Sequence, residues 1–213
     1  MSNIDFQNGF ALGVASKGQA QSVAQNPFEY STRLYYLYQK SVFPDNYELK
    51  IDAPYATEVI GLLNDASGIT KLTLKGNDNG SAINFSQFVR GCQSIVEINL
   101  TNFIVKPTNI NLMCSNAKAL KTIKGEIDLT ECTNTTNAFV YCYALEEIRF
   151  KANSIKLSIS FPNSTVLSSE SVQSIVDGLA TVETAQTLTL YSAIVLTDAQ
   201  KTTIETKGWT LVQ

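Results

Sequence analysis

The sequence predicts an α/β solenoid, in which short strands from about seven successive rungs form one parallel β-sheet. Three observations predict it: an internal repeat of constant length, alternation of apolar and polar residues at the end of each repeat, and a composition rich in Ser, Thr, Asn and Gln. A constant repeat length indicates units that bury their apolar side against their neighbours. A helical N-terminal cap and a helix-strand C-terminal cap are expected to cover the two ends of the stack.

The repeat is clearest in the stretch FVRGCQSIVEINL, residues 88–100. Its apolar pattern recurs at residues 113–125 and again, after the same step, at residues 138–150. The matching columns are Phe88/Met113/Ala138, Val89/Cys114/Phe139, Cys92/Ala117/Cys142, Ile95/Leu120/Leu145, Ile98/Ile123/Ile148 and Leu100/Gly125/Phe150. Upstream, LLNDASGITKLTL at 62–74 is another copy, with Leu62 in the column of Phe88, and YELKI at 47–51 keeps the strand half of one more. Downstream of Phe150 the repeat spacing becomes longer, and further strands are predicted, after an insertion, in AQTLTLYSA at 185–193 and KGWTLV at 207–212.

Most copies end on an apolar-x-apolar pair, such as Leu72 and Leu74 or Ile98 and Leu100. Alternation with a period of two indicates a short strand with one side turned inward. Stacked repeats place these strands beside one another in the same direction, which predicts a parallel sheet. The polar residues between the apolar ones are expected to face outward.

The pattern F-x-x-x-C-x-x-I-x-x-I-x-L of residues 88–100, echoed by AFVYCYALEEIRF at 138–150, resembles the BspA-like branch of the leucine-rich repeat family. Units of that branch read roughly F-x-x-C-x-x-L-x-x-I-x-L, and the resemblance covers residues 46–150. It implies a solenoid of leucine-rich-repeat type, a class whose members commonly bind partners across the sheet face. The middle copy departs from the pattern, because Ala117 occupies the cysteine column and Gly125 a strand position, which is expected to weaken the sheet locally.

The chain is expected to divide into three parts, of which the last two form one continuous domain from residue 46. Residues 1–45 are predicted to be an N-terminal attachment and capping segment with one helix. Residues 46–165 are predicted to form the leucine-rich-repeat solenoid. Residues 166–213 are predicted to form a C-terminal helix-strand capping module.

The N-terminal helix is predicted within FEYSTRLYYLYQKSVFP, residues 28–44, where four apolar residues lie near one helical stripe and Pro44 ends it. These four are Leu34, Leu37, Tyr38 and Val42. The segment is unusually aromatic, and tyrosine is enriched at protein interfaces. Two interpretations stay open: a helix that caps the first strand, and a helix that docks or forms a homo-oligomer. The candidate docking residues are Tyr30, Tyr35, Tyr36 and Tyr38.

Two short helices are predicted in the C-terminal module, each followed by a strand. LSSESVQSIVDGLA at 167–180 has apolar residues at helical spacing behind serine N-cap candidates. LTDAQKTTIETKGW at 196–209 has Thr197 and Gln200 as a capping box and Gly208 as a stop signal. Such a tail is suited to cover the exposed core of the last repeat.

The composition and the motifs argue against catalysis and against cofactor or metal binding. The chain has no histidine, the usual general base near neutral pH and the commonest zinc ligand. Its net charge of −3 offers no cationic surplus for nucleic acid. It also lacks the glycine loops that hold nucleotides and the acidic loop that holds calcium. We therefore expect no enzyme activity, no cofactor, no metal and no nucleic-acid partner.

All four cysteines are expected to be free. Cys92 and Cys142 share a column but are separated by the copy that holds Ala117. Their Cα atoms should therefore lie about 9 to 10 Å apart, beyond the roughly 7 Å limit for a disulfide. Cys114 lies in another column. We interpret Cys92 and Cys142 as small buried hydrophobes, and Cys132, in a turn-like stretch, as the most exposed thiol.

The outward strand positions form two adjacent ladders, and these are the candidate partner-binding residues. One ladder holds Lys71, Glu97, Thr122, Glu147 and Thr187, and the other holds Thr73, Asn99, Lys124, Arg149 and Thr189. Two interpretations stay open: a surface that binds a protein or a glycan, and a solvated face whose alternating charges pair across strands. Neither ladder contains an aromatic residue, which disfavours sugar stacking.

The expected function is that of a non-enzymatic, virion-associated phage or prophage protein with a structural or adhesive role. The tail at 166–213 resembles a C-terminal module of leucine-rich-repeat proteins from phages and prophages of gut Firmicutes, and the opening DFQNGFALGVASKG resembles the start of small phage structural proteins. The sheet face would bind a protein or glycan on a host or virion surface. The alternatives are a bacterial cell-surface adhesion module exported by a signal outside this sequence, an intracellular scaffold, and an enzyme that uses Tyr, Lys or carboxylates. The N-terminus shows no secretory-signal pattern, and no apolar run is long enough for a bilayer, which predicts synthesis without Sec export and no membrane insertion. The resemblance to phage proteins implies a virion location.

Overall fold

The computed structural model describes residues 4–6, 10–12, 21–23, 34–54 and 56–213, which form a mostly parallel β-structure with few helices. This agrees with the predicted α/β class. In chain order the elements are β1 (Ile4–Phe6), β2 (Phe10–Leu12), β3 (Gln21–Val23), β4 (Val42–Ala53), β5 (Ser67–Gly76), β6 (Ile83–Asn84), β7 (Glu97–Phe103), β8 (Pro107–Asn109), β9 (Thr122–Ile127), β10 (Glu147–Phe150), β11 (Ile159–Phe161), α1 (Ser169–Gly178), β12 (Gln186–Leu190), α2 (Asp198–Thr206) and β13 (Trp209–Val212).

The main sheet has six strands in the order β10-β9-β7-β5-β4-β3, and all of its pairs are parallel. Neighbouring copies of the sequence repeat occupy neighbouring strands, as predicted: Leu72 lies opposite Ile98, which lies opposite Ile123. These three side chains are buried in one continuous apolar core. Near the N-terminus, β1 and β2 form a separate antiparallel pair.

The half of each repeat that precedes the strand is an irregular turn. Its backbone donates hydrogen bonds to the next copy, as from Leu63 N to Phe88 O (2.9 Å) and from Cys114 N to Ala138 O (2.8 Å). Two residues of each turn, four positions apart, have φ between 51° and 71°. These pairs are Tyr36/Lys40, Gly61/Asp65, Gln87/Gly91, Leu112/Asn116 and Asn137/Tyr141. Left-handed backbone costs a non-glycine residue about 1–2 kcal/mol, so the hydrogen bonds to neighbouring copies hold these turns in shape.

The predicted N-terminal helix is wrong where the structure describes it. Residues 34–40 form turns, and a strand begins at Val42. The turns bond to the following copy, for example from Tyr36 N to Ile60 O (2.8 Å). This segment is therefore one more copy of the sequence repeat. The sequence predicts a helix here because the apolar spacing of the repeat, i, i+3 and i+4, is also the spacing of a helical stripe. Residues 28–33 of the predicted helix lie outside the described residues. The corresponding residues are Leu34 and Val59, Leu37 and Leu62, and Tyr38 and Leu63.

Helix α1 lies along the edge of the main sheet at β10. The Ser171 hydroxyl accepts a hydrogen bond from Ile148 N (3.0 Å) and donates one to Glu146 O (2.9 Å). The Ser174 hydroxyl accepts from Phe150 N (2.9 Å). Two hydroxyls on one face of the helix thus bind the amides that a further strand would otherwise bind.

Both predicted C-terminal helices form. Helix α1 follows the N-cap Ser168, and α2 follows Thr197, which makes the predicted capping box with Gln200. The strands after them are not the last members of the main sheet, contrary to expectation. Instead β12 and β13 join β11 in a second parallel sheet of three strands. The main sheet cannot continue into β12 because α1 occupies its edge.

The weak point expected in the middle copy is a bulge. Past Lys124 the register shifts, so that Phe150 lies opposite Ile127 and not opposite Gly125 as the repeat columns predicted. Ile127 is buried and takes over the apolar position. The bulge therefore keeps the core column intact and changes which outward residues face one another.

Candidate functional site

Lys71, Glu97 and Lys124 form a charge cluster at the centre of the predicted binding face. Lys71 lies opposite Glu97 in the sheet register, which confirms the predicted pairing of these two residues. Glu97 Oε2 accepts a hydrogen bond from Lys124 Nζ (2.9 Å). Glu97 Oε1 lies 3.2 Å from Lys71 Nζ, in an ion pair without hydrogen-bond alignment. One carboxylate thus links three neighbouring strands.

Glu97 is expected to make the stability of the protein depend on pH. Partial burial alone would raise the pKa of Glu97, but the two lysines outweigh burial and hold the pKa below its ordinary value of 4.5. A lowered folded-state pKa gives stability that is present above the unfolded-state value and is lost as the pH falls through the folded-state value.

We therefore expect Glu97→Gln to lower the free energy of unfolding by about 1 kcal/mol at neutral pH, and the difference from the unsubstituted protein to shrink as the pH falls below 4.5. Urea unfolding at a series of pH values measures this difference. The control is Lys201→Gln, which changes an exposed side chain of α2. A loss that stays constant from neutral to acid pH would contradict the role given to the carboxylate.

The remaining ladder residues on this face differ in what they offer a partner. Thr73 is 9% exposed and offers little surface. Asn99 Oδ1 already accepts hydrogen bonds from Thr101 N (3.1 Å) and Thr101 Oγ1 (2.8 Å). Arg149 lies opposite Glu126 because of the bulge.

Glu147 is one of the alternating ladder charges that could pair across strands. It lies opposite Thr122 and forms no ion pair with the residues that the structure describes. Its side chain is exposed, as are those of Lys124 and Arg149. The surface available to a partner, here called the charged face, consists of Lys71, Glu97, Thr122, Lys124, Glu147 and Arg149.

Thr187 and Thr189 do not belong to the charged face, contrary to prediction. Both lie on β12 in the second sheet, where Thr189 is opposite Ser160. There they line a groove between the second sheet and residues 133–137, with a cavity volume of about 410 Å³. The alignment of the repeats did not predict this groove, because it assumes that every strand belongs to one sheet. The signal was the longer spacing after Phe150, which indicates a change in the stack.

The predicted docking tyrosines that the structure describes lie on turns and not on a helix, and they differ in how much surface they offer. Tyr38 is buried in the core, whereas Tyr35 is 54% exposed. Tyr36 is half-buried and meets Tyr35 edge to face, with ring centroids 4.5 Å apart. Tyr30 lies outside the described residues. Tyr35 is therefore the described tyrosine of this set that offers most surface to a partner.

The four cysteines are free and buried, as their columns predicted for Cys92 and Cys142. Cys132, predicted to be the most exposed thiol, is buried at 9% exposure but remains more accessible than the other three, which have 0%. Burial raises the pKa of Cys92 and Cys142 to about 12. The Cys142 thiol donates to the carbonyl of Cys114 (3.1 Å), so these thiols pack as small core side chains.

We expect these thiols to resist modification in the folded protein. A pKa raised from 9.0 to about 12 lowers the thiolate fraction of Cys92 and Cys142 about a thousandfold. A chromogenic disulfide reagent should titrate four thiols in denaturant without reductant and should react only slowly without denaturant. Fewer than four thiols in denaturant would reveal a disulfide and contradict the register.

The described residues offer no group of three or more Cys, Asp or Glu side chains that could hold a metal ion. Within the same ranges, no helix has both the length and the apolar character needed to cross a bilayer. Compared with known proteins, the chain matches no family model, no curated protein and no solved structure.

Proposed function

We propose that this chain is a solenoid of leucine-rich-repeat type with about seven rungs. The support is the repeated hydrogen bonding between sequence copies, which joins the turn halves as well as the strands. The core columns add to it, because residues of one column in successive copies, such as Ile98 and Ile123, are buried side by side. In this proposal α1, α2 and the second sheet form the C-terminal cap.

We further propose that the protein is a non-enzymatic, virion-associated phage or prophage protein with a structural or adhesive role, and that it presents the charged face to a protein or glycan on a host or virion surface. The observation that carries the binding role is the Lys71–Glu97–Lys124 cluster with exposed Glu147 and Arg149 beside it. Mixed charges on an open face favour a specific partner of complementary charge over a uniformly charged polymer. The resemblance of both ends of the chain to phage proteins supplies the virion setting.

The virion role is tested on the particles themselves. Mass spectrometry of purified virions should identify the protein at a constant copy number per particle, and its gene should lie among head or tail genes. Absence from the particles of a phage that encodes it would contradict the virion role. Recovery from the bacterial cell surface or from the cytosol would instead favour the adhesion-module or the scaffold alternative.

The binding role of the charged face is tested by reversing charge. We expect Lys124→Glu with Arg149→Glu to weaken adsorption of the labelled protein to host cells about tenfold. Added salt should also weaken adsorption of the unsubstituted protein, because salt screens the charges. Lys118→Glu with Lys201→Glu changes the net charge equally at two exposed residues away from this face and serves as the control. Equal adsorption of the two double variants would contradict a role for the charged face.

A further inference from the structure

The groove beside β12 arises where a ladder of backbone hydrogen bonds stops. In successive copies the ladder runs from Phe85 N to Asn109 O (2.9 Å) and from Ile110 N to Asn134 O (2.8 Å). One more repeat beyond Asn134 would reach Ile159. Among the described residues no backbone hydrogen bond joins 133–137 to 157–161, and β11 pairs with β12 instead. The missing step leaves a cavity of about 410 Å³, within the roughly 300–1,000 Å³ typical of small-molecule sites.

One end of the groove is fixed by a small hydrogen-bond network. Thr135 Oγ1 donates to Ser158 O (2.6 Å), and Ser158 N donates to Gln186 Oε1 (2.8 Å). Thr187 N in turn donates to Ser158 Oγ (2.9 Å). These bonds join the fifth turn to β12 through the residue that precedes β11. The groove is therefore held open by the fold, without a ligand to shape it.

The side chains that line the rest of the groove have unused hydrogen-bonding capacity. Five of them make no hydrogen bond within the part of the chain that the structure describes. They are Thr136, Asn137, Ser160, Thr187 and Thr189. Each can both donate and accept, and none of the lining side chains is ionisable. Leu157 adds a partly exposed apolar side chain to the lining, whereas the Ile159 side chain is buried in the core.

We propose that this groove binds a neutral, polyhydroxylated ligand, namely one or two residues of an uncharged saccharide. Hydroxyl groups on such a ligand donate and accept, which matches the five free side chains. The lining holds no aromatic ring, so hydrogen bonds, and not ring stacking, would hold the ligand, with Leu157 beside its C–H surface. A phosphate, sulfate or carboxylate ligand would find no cation in the lining. The groove lies apart from the charged face, so this proposal goes beyond the function proposed above and stands or fails separately.

The test is an amide chemical-shift titration of the full chain with maltotriose, cellotriose and triacetylchitotriose, each to about 10 mM, which detects millimolar dissociation constants. We expect at least one of these saccharides to shift residues 133–137, 158–160 and 186–189 together. Trigalacturonate and a Ser/Thr-rich hexapeptide are the charged and the peptide comparisons. The proposal is overturned if no neutral saccharide shifts these residues, if the shifts fall on the charged face instead, or if either comparison binds the groove more tightly.

Variants then test the contacts. Thr187→Val with Thr189→Val removes two hydroxyls and keeps β-branched residues in β12, and the exposed Thr136→Val gives a second, independent test. We expect the double variant to raise the dissociation constant about tenfold, since two hydrogen bonds are lost. Thr202→Val, at an exposed threonine of α2 that lies outside both the groove and the charged face, should leave saccharide binding unchanged. Because no lining group ionises, the dissociation constant should be the same at about pH 5 and about pH 8. The proposal is overturned if both groove variants bind the saccharide as tightly as the unsubstituted protein does, or if the dissociation constant depends strongly on pH.

Discussion

Ile123→Asp is expected to unfold the main sheet under conditions in which the unsubstituted protein is folded. Ile123 lies in β9 with β7 and β10 on either side and is 2% exposed. Loss of such a side chain from a core costs about 2–5 kcal/mol. The new carboxylate must also be buried without a partner or be protonated, which costs several kcal/mol more. The total is comparable to the whole stability of a typical domain, about 5–15 kcal/mol.

The matched control is Lys124→Gln, at the next residue on the same strand. Its side chain is exposed, and its substitution removes one ion pair with Glu97, worth about 0.2–1 kcal/mol. Circular dichroism with urea unfolding compares the two variants. Similar losses would mean that the inward and outward faces of β9 are assigned the wrong way round.

Gly76→Ala is expected to lower the free energy of unfolding by about 3 kcal/mol or more. Gly76 ends β5 with φ of 114°, a backbone conformation that disfavours alanine. A methyl group there would also lie 2.4 Å from the carbonyl carbon and oxygen of Ala53, in the neighbouring strand β4. These atoms are main chain and cannot rotate away, so β4 and β5 would have to separate.

Gly80→Ala isolates the conformational part of that effect. Gly80 also has positive φ, 65°, but the nearest atom to an added methyl is Lys106 Nζ at 3.6 Å. We expect Gly80→Ala to lower the free energy of unfolding by about 1–2 kcal/mol, which is the cost of left-handed backbone alone. Urea unfolding of both variants separates the two contributions. If Gly80→Ala is as damaging as Gly76→Ala, the close approach of β4 to β5 is not what restricts position 76.

The parallel strands could be predicted from sequence because the positions that face the core must be apolar, and these positions recur at a regular spacing. Columns such as that of Ile98 and Ile123 recur once in each repeat, and the structure places their members side by side. The turns are harder to predict from sequence, because hydrogen bonds to neighbouring copies hold their left-handed backbone. Residues as different as Tyr36 and Leu112 adopt this conformation, so no residue type marks the turns. Spacing alone therefore assigned residues 34–38 to a helix.

The candidate site was predictable to the extent that it follows the main sheet. Lys71 and Glu97 meet as their columns indicated. Thr187 and Thr189 were misplaced because apolar alternation identifies a strand without saying which sheet it joins. The main sheet ends at β10 because the hydroxyls of Ser171 and Ser174 bind the amides at its edge. The sequence pattern did not predict this end, because a serine in a helix does not show that it will bind a strand.

The same two serines affect how the protein behaves when it is crowded. An open edge of a β-sheet exposes a row of unpaired amides that recruits strands from other chains and seeds aggregation. At β10 the amides of Ile148 and Phe150 are already bound to the hydroxyls of α1. Copies held close together at high local concentration are therefore kept from joining sheet to sheet at this end, and the protection depends on two oxygen atoms.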